Sequence, residues 1–491
     1  MILVWRSSGS YVDENFYPPR TVTRRGIEED GRTSIRSEGN SMNVINACTR
    51  DCFDGCSILS RVRDGDILSV EGNKIHPVTQ GVVCPRMKLF AKNVQSEKRI
   101  RTPLKRTGPR GSGSFEIVSW ESALKEVADK IMEASRDSGP SSVVLYDTGG
   151  NCGLLAGYFP QRLINAINGS LTDHTICSAA GKAALRINFG SVHGYPAEKI
   201  PEAKMITLWG INSKWTNMHG AMLVQKAKKK GASVWVIDPI RTPTSEMGRH
   251  LQIKPGTDTA LALTIINHIV QNDMHDKEFI EKNLHGFSNL MEIAKKYDLK
   301  RTAEITGLKT SDITELATEI VSLKPSVIQM GLGLQRQRNG GETVRAISLI
   351  SSIVGQHRGF LYTNGGGGFD IDYLRAKHLR TSPEHRYNPL ELPRFIKEGN
   401  IKVLLVINSN PLATLPNQNT DIRDGPSSPD QAWNRHSPGT YNHQSHRAER
   451  HARQGVHREE PARFQQLDGD CEEVRPEESC GNHRTQDQRY H

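Results

Sequence analysis

Five short apolar runs constrain this 491-residue chain more than any other feature: SVVLYD (142–147), MITLWG (205–210), SVWVID (233–238), SVIQMG (326–331) and KVLLVINS (402–409). They lack the in–out alternation of a half-solvated sheet, so both faces of each strand are expected to be buried. Helical stretches lie between them, clearest at TALALTIINHIV and ETVRAISLISSIV. Such strands alternating with helices predict an α/β fold with parallel sheets covered on both sides. A further helix is predicted from a Ser119 cap, with Ala123, Leu124, Val127, Ile131 and Met132 on one face.

Each strand runs into a polar loop: DTGGNCG, WGINSKWTN, IDPIRT, GLGLQRQRNGG and NSNPLATLPN. Ligands of open α/β sheets bind beyond the carboxyl ends of strands, where backbone N–H groups reach phosphates. Five such loops at equivalent positions point to a large, phosphate-bearing cofactor. Cys152, in the first of these loops, has no evident partner and is read as structural.

Ahead of the strands, NACTRDCFDGCS sets Cys48, Cys52 and Cys56 at intervals of four, and Cys84 follows directly before Pro85. SILSRV and DILSVEG, on either side of Asp64-Gly65, read as a hairpin packed beside these cysteines. Zinc usually draws ligands from two separated pairs. Three clustered thiolates and one remote one suit a cubane better, since each iron needs its own thiolate. Zinc and plain structural cysteines are the competing readings. Eight cysteines in so long a chain, with no secretion signal, do not make a disulfide framework.

The formal charge of +10 falls in the middle of the chain: residues 42–420 carry 48 Lys and Arg against 35 Asp and Glu. A basic surface facing an anionic cofactor accounts for it, and no aromatic–basic interleaving marks a nucleic-acid site. Lys226, Lys228, Lys229 and Lys230 read as a solvated helix end. No apolar run is long enough to span a bilayer, and none follows Arg24-Arg25 to make an export signal. The expected compartment is the cytoplasm. All 26 lysines lie between Lys74 and Lys402, whereas residues 421–491 have none and hold seven of the 18 histidines. Only about a fifth of that tail is apolar, too little to offset the entropy of ordering it. Residues 1–41 and 421–491 are therefore expected to be disordered. The composition shift further suggests out-of-frame or upstream translation with Met42 as the start, a bland His/Arg-rich tail being the alternative.

The cysteine clasp, CPRM, PLKRTGPRGSGSFEIVSWESAL, CSAAG, WGINSKWTN, VIDPIRT, KPGTDTALAL and GLQRQRNGGETVRAI, in this order, resemble the prokaryotic molybdopterin-containing oxidoreductases of the dimethyl sulfoxide reductase superfamily, which includes formate dehydrogenases and nitrate reductases. The resemblance runs from about Asn43 to Asn419. It implies a [4Fe–4S] cluster domain (42–103), then molybdopterin-binding α/β domains (104–420), and a bis(molybdopterin guanine dinucleotide) cofactor with molybdenum or tungsten. Cys48, Cys52, Cys56 and Cys84 match the cluster ligands. Arg86 matches the basic residue between cluster and pterin, its alternative being a surface arginine. Cys177 matches the protein ligand of the metal; Ser178 takes that place if the alignment slips by one, and a buried structural cysteine is the plain reading. His174 is a candidate acid–base group or a structural histidine.

The resemblance also places Asn212, Asn217, Asp238, Arg241, Thr242, Gly333, Gln335, Arg338, Asn339 and Asn410 where the family binds its nucleotides. Asp258 is a further candidate, or else a helix cap. Family members continue past NSNPLATLPNQN into the rest of a sheet domain and a β-barrel-like domain. The expected function is therefore oxidoreductase chemistry on a small molecule, impaired by that missing part, with electrons passed to an electron-transfer subunit or soluble redox carrier. A non-catalytic iron–sulfur relay or structural subunit, or a non-redox hydratase on the same scaffold, are the other readings.

Overall fold

The computed structural model describes residues 41–48, 50, 52, 54–109, 111–147, 157–363 and 369–415, with the backbone of 34–36. Cys152 with most of its loop, and the 421–491 tail, lie outside the described residues. The first sheet is antiparallel: β1 (Ser34–Arg36), β2 (Met42–Ala47), β3 (Ser57–Arg63) and β4 (Asp66–Gly72), paired in that order. Strands β3 and β4 turn at Asp64 and Gly65, with φ of 50° and 87°, as a two-residue hairpin of right-handed twist requires. That expected hairpin is borne out. Within the 1–41 stretch, β1 pairs with β2 from Ser34 opposite Val44. The open edge of β2 offers a row of backbone donors and acceptors that a neighbouring segment can satisfy.

A small hairpin, β5 (Leu104–Arg106) and β6 (Phe115–Ile117), leads into the helix Trp120–Ser138. The Ser119 hydroxyl accepts from the Ser122 N–H at 3.1 Å, so the expected cap is real. The expected buried face is only partly right. Ala123 and Ile131 are buried, but Leu124 and Met132 are 62% and 60% exposed. Two apolar stripes run along this helix, and it packs through the one containing Val127, Ile131 and Ala134.

The chain then lays down β7 (Val143–Tyr146) and β8 (Ser170–Thr172) and leaves that sheet unfinished. Five strands follow: β9 (Met205–Trp209), β10 (Ser233–Ile237), β11 (Arg249–Leu251), β12 (Ser326–Met330) and β13 (Phe360–Leu361). They form one parallel sheet in the order β11-β10-β9-β12-β13. Only then come β14 (Arg386–Tyr387) and β15 (Val403–Val406), which complete the parallel sheet β14-β8-β7-β15. The two α/β layers are thus interleaved along the chain rather than laid end to end.

Helices Asp258–Gln271, Thr310–Ser322 and Gly340–Ile353 cover one face of the five-stranded sheet, burying Ile265, Ile313 and Ile350 against Trp209 and Trp235. Helix Met218–Lys229 covers the other through Leu223 and Val224. Its exposed Lys226, Lys228 and Lys229 occupy the last turn, where cations complement the helix dipole. Trp209, Ile237 and Met330 end their strands in register, so the loops after β9, β10 and β12 share one edge. The strand order reverses between β9 and β12, the position at which open α/β sheets form a ligand crevice. A Cβ on Gly331 would stand 1.9 Å from the Gly210 carbonyl oxygen, so only glycine lets the two loops meet there.

Candidate functional site

The cluster loop connects β2 to β3. The Cys48 N–H donates to the Cys56 carbonyl at 2.8 Å, folding the loop back on itself, and Gly55 takes a φ of 53°. Cys56 is buried with Ile58, Val70 and Met87, and Cys48 and Cys84 pack against the same group. The Arg50 N–H points at Cys48 Sγ from 3.5 Å. Burial pushes the Cys52 thiol up to about 11 and the Cys56 thiol up to about 12; the charges of Asp54, Cys48 and Cys84 add to both, and that of Cys52 adds to Cys56. Four thiolates beside a carboxylate repel one another unless a cationic group sits among them, so the donor set fits an iron–sulfur cluster.

The cysteine-bearing segments also reach the segment after β9. Arg86, in the short helix Pro85–Lys88, donates from Nη2 to the Trp215 carbonyl at 2.5 Å. Asp54 reaches the start of helix Met218–Lys229, where its carboxylate lies 2.8 Å from His219 Nδ1 and 3.4 Å from the N–H groups of His219 and Gly220. An anion at a helix N-terminus is favourable. Asp54 and His219 are 8% and 1% exposed. Sequence reasoning missed both residues. The available signal was an acidic residue inside the cysteine clasp and a histidine just past WGINSKWTN.

Cys177 is exposed in a single wide turn, Thr175–Ala179, that opens helix Ala180–Phe189. Gln335 braces this turn from the loop after β12. Its amide oxygen accepts from the Gly181 N–H at 2.7 Å and the Tyr362 hydroxyl at 2.8 Å, and its amide nitrogen donates to the Cys177 carbonyl. A Cβ on Gly181 would stand 2.2 Å from the Tyr362 oxygen, so this packing also demands glycine. Burial raises the Tyr362 phenol and keeps it a donor. His174 Nε2 lies 2.9 Å from Asp147, a buried carboxylate at the end of β7 that also accepts from Gln161 at 2.8 Å. Such a carboxylate fixes which imidazole nitrogen faces away, the arrangement used to orient an acid–base histidine. Asp147 was also missed, although it ends an apolar strand as Asp238 does.

The remaining loop residues divide into braces and exposed groups. The Asn212 side-chain oxygen accepts from Thr244 at 2.6 Å, tying the loop after β9 to the one after β10. Asn217 accepts from the Gly220 N–H at 2.9 Å and caps the helix. Asp258 is buried, accepting from the Trp209 indole at 2.8 Å and from Gln337 at 3.3 Å. Asp238 turns its own loop by accepting from the Ile240 N–H at 3.1 Å, and the Thr242 N–H donates to Ser245 at 3.1 Å. Arg241, Gly333, Arg338 and Asn339 are exposed on the carboxyl edge of the five-stranded sheet. The two guanidiniums there suit an anionic dinucleotide. Asn410 stands at the corresponding edge of the four-stranded sheet, before the helix Pro411–Thr414.

Comparison with known proteins matches this geometry. Residues 42–96 match the molybdopterin oxidoreductase Fe4S4 domain and residues 99–428 match molybdopterin oxidoreductase. The probable oxidoreductase YoaE of Bacillus subtilis is 34% identical, over 80% of this chain and 59% of the relative. Dimethyl sulfoxide reductase DmsA of Escherichia coli is 29% identical, over 71% of this chain and 48% of the relative. The acetylene hydratase from Pelobacter acetylenicus superposes with a TM-score of 0.57 at 24% identity, over 72% of this chain and 49% of that one, which shows a shared fold. The chain thus spans about half the length of the curated relatives it matches. Among the described residues, no helix is long and apolar enough to cross a membrane. With the Fe4S4 domain and the larger domain matched in succession, the chain belongs to the molybdopterin oxidoreductase family.

Proposed function

We propose that this chain forms the cluster- and pterin-binding part of a cytoplasmic oxidoreductase that acts on a small molecule. Cys48, Cys52, Cys56 and Cys84 would hold a [4Fe–4S] cluster. Cys177 would ligate molybdenum or tungsten carried by bis(molybdopterin guanine dinucleotide). When bound, these groups supply two-electron chemistry at the metal and a one-electron relay at the cluster. The partner that receives or delivers those electrons is an electron-transfer subunit or a soluble redox carrier.

The chain's own residues bind, brace and orient. Arg241 and Arg338 meet the anionic nucleotide arms, with Asn212, Asn217, Asp238, Thr242, Asp258, Gly333, Asn339 and Asn410 shaping the loops around them. Gln335 holds the backbone of Cys177. His174, oriented by Asp147, accepts or donates a proton at the ring nitrogen turned away from the carboxylate. The observation that carries the reading is the Arg86–Trp215 hydrogen bond, which links the cluster segment directly to the loop after β9. A cation there would favour an added electron on a cluster held by the four cysteines.

Metal analysis of the full chain, purified without oxygen, tests the reading. We expect four irons per chain together with molybdenum or tungsten. Iron alone would support the relay subunit instead, and neither metal would remove the proposal.

A further inference from the structure

The segment from Arg86 to Arg101 carries six Lys and Arg against the single Glu97. It opens just past Cys84, where helices Pro85–Lys88 and Phe90–Val94 follow one another with Leu89 between them. Met87, Phe90 and Val94 turn inward at helical spacing, Met87 within the buried group of Cys56 and Phe90 against it. Lys88, Leu89 and Lys92 therefore face outward, and all three are exposed, Leu89 at 57%. The Lys88 N–H donates to the Cys84 carbonyl at 3.3 Å, so this outward face stands one helical turn from a cysteine of the clasp. From the other cysteine loop, the exposed Arg50 brings its guanidinium to 6.0 Å from the Phe90 ring and adds a cation beside the helix.

The cations continue past the second helix. Arg101 folds back to donate from Nη2 to the Gln95 carbonyl at 3.2 Å, which brings the exposed Lys98, Arg99 and Ile100 beside the end of that helix. Among the described residues, none of Lys88, Lys92, Lys98, Arg99 and Arg101 makes an ion pair. Lys105, Lys125 and Lys130, just downstream, each have a carboxylate partner. Unpaired cations around an exposed leucine and isoleucine have the layout of half an interface, an apolar centre with a polar rim.

We propose that this face docks a small acidic redox protein, the one-electron carrier that exchanges electrons with the cluster. This rests on the cluster reading given above and narrows the partner to one with a negative surface. Electron transfer falls off steeply with distance, so the carrier has to settle close to the cluster's ligands, and the basic face begins at one of them. Opposite charge speeds the encounter and orients the carrier, while a small contact lets it leave after one electron. The step moves one electron from the reduced carrier to the oxidised cluster, or back, and no bond forms or breaks.

The test uses the full chain, with its iron content and cluster absorption recorded first. Fluorescence anisotropy then follows the binding of labelled plant-type [2Fe–2S] ferredoxin, an acidic protein. Binding should weaken about tenfold when salt is raised from roughly 20 to 300 mM, and about tenfold at low salt in the Lys88→Glu/Lys92→Glu double variant. Lys295 and Lys296 are exposed beyond helix Phe287–Ala294, which packs in the core layer on the other face of the five-stranded sheet from helix Met218–Lys229. Lys295→Glu/Lys296→Glu makes the same change of charge there and should leave binding within about twofold. Stopped-flow mixing of one protein reduced by dithionite with the other oxidised should show electron exchange that the first double variant slows in step with its binding. No binding, equal weakening in both double variants, or binding without electron exchange in either direction would overturn the proposal. So would equally tight binding to phosphatidylglycerol vesicles that the first double variant loses, which would assign the face to a membrane. Should that variant lose its iron, carbodiimide crosslinking of the unsubstituted chain to ferredoxin decides the matter: Lys88, Lys92 or Lys98 must be among the linked residues. A chain with neither iron nor cluster absorption would instead sink the cluster reading, whatever it binds.

Discussion

The two parallel sheets are built from the same kind of strand, yet they are covered differently. Strands β9 and β12 are buried along their whole length and lie between two broad apolar layers. Strands β7 and β15 are also buried, but between two small clusters, one centred on Ile164 and Leu171 and the other on Tyr387 and Leu392. The helix over the smaller sheet keeps Trp120, Leu124 and Met132 exposed. Strand composition therefore says that a sheet is buried, while the number and fit of the covering helices decide how well it is anchored.

The largest expected effect tests this contrast directly. Truncating Leu208, fully buried in the central strand β9, should cost about 3 kcal/mol by cavity formation. Leu404→Ala, on a strand with one neighbour among the described residues, should cost about half as much. Urea denaturation compares the two, and equal losses would break the distinction. Next is Gln335→Ala, which strands the Gly181 N–H, the Tyr362 hydroxyl and the Cys177 carbonyl. It should cost about 2 kcal/mol and speed alkylation of Cys177 as its turn loosens, read by mass spectrometry. An unchanged alkylation rate would mean that the turn holds itself. The smallest effect is expected from Leu124→Ser on the exposed helix stripe, within about 0.5 kcal/mol in thermal unfolding. A larger loss would show that this stripe is covered in solution.

Much of this architecture was legible because it is local. Near-continuous apolar runs marked β7, β9, β10, β12 and β15, Asp64-Gly65 marked a hairpin, and Ser119 marked a helix start. Strands β8, β11, β13 and β14 escaped because two or three residues carry no period. The buried face of Trp120–Ser138 was misjudged because its two apolar stripes look alike until a sheet selects one. The site divides in the same way. Cys48, Cys52, Cys56 and Cys84 announce themselves by spacing, whereas Asp54, Asp147 and His219 acquire meaning only from partners far away in sequence. His219 meets Asp54 across 165 positions, which no window of sequence can display.

The interleaving of the sheets sets a timetable for synthesis. Val143 of β7 pairs with Val403 of β15, so the ribosome must add roughly 260 residues before that strand is sealed. At ordinary elongation rates the delay is on the order of 10–50 seconds. All five strands β9–β13 emerge within that interval and can form their sheet first. Meanwhile VVLY, four apolar residues with an unmatched hydrogen-bonding edge, waits on the nascent chain. This is the segment that a chaperone or a neighbouring polysome chain would meet first.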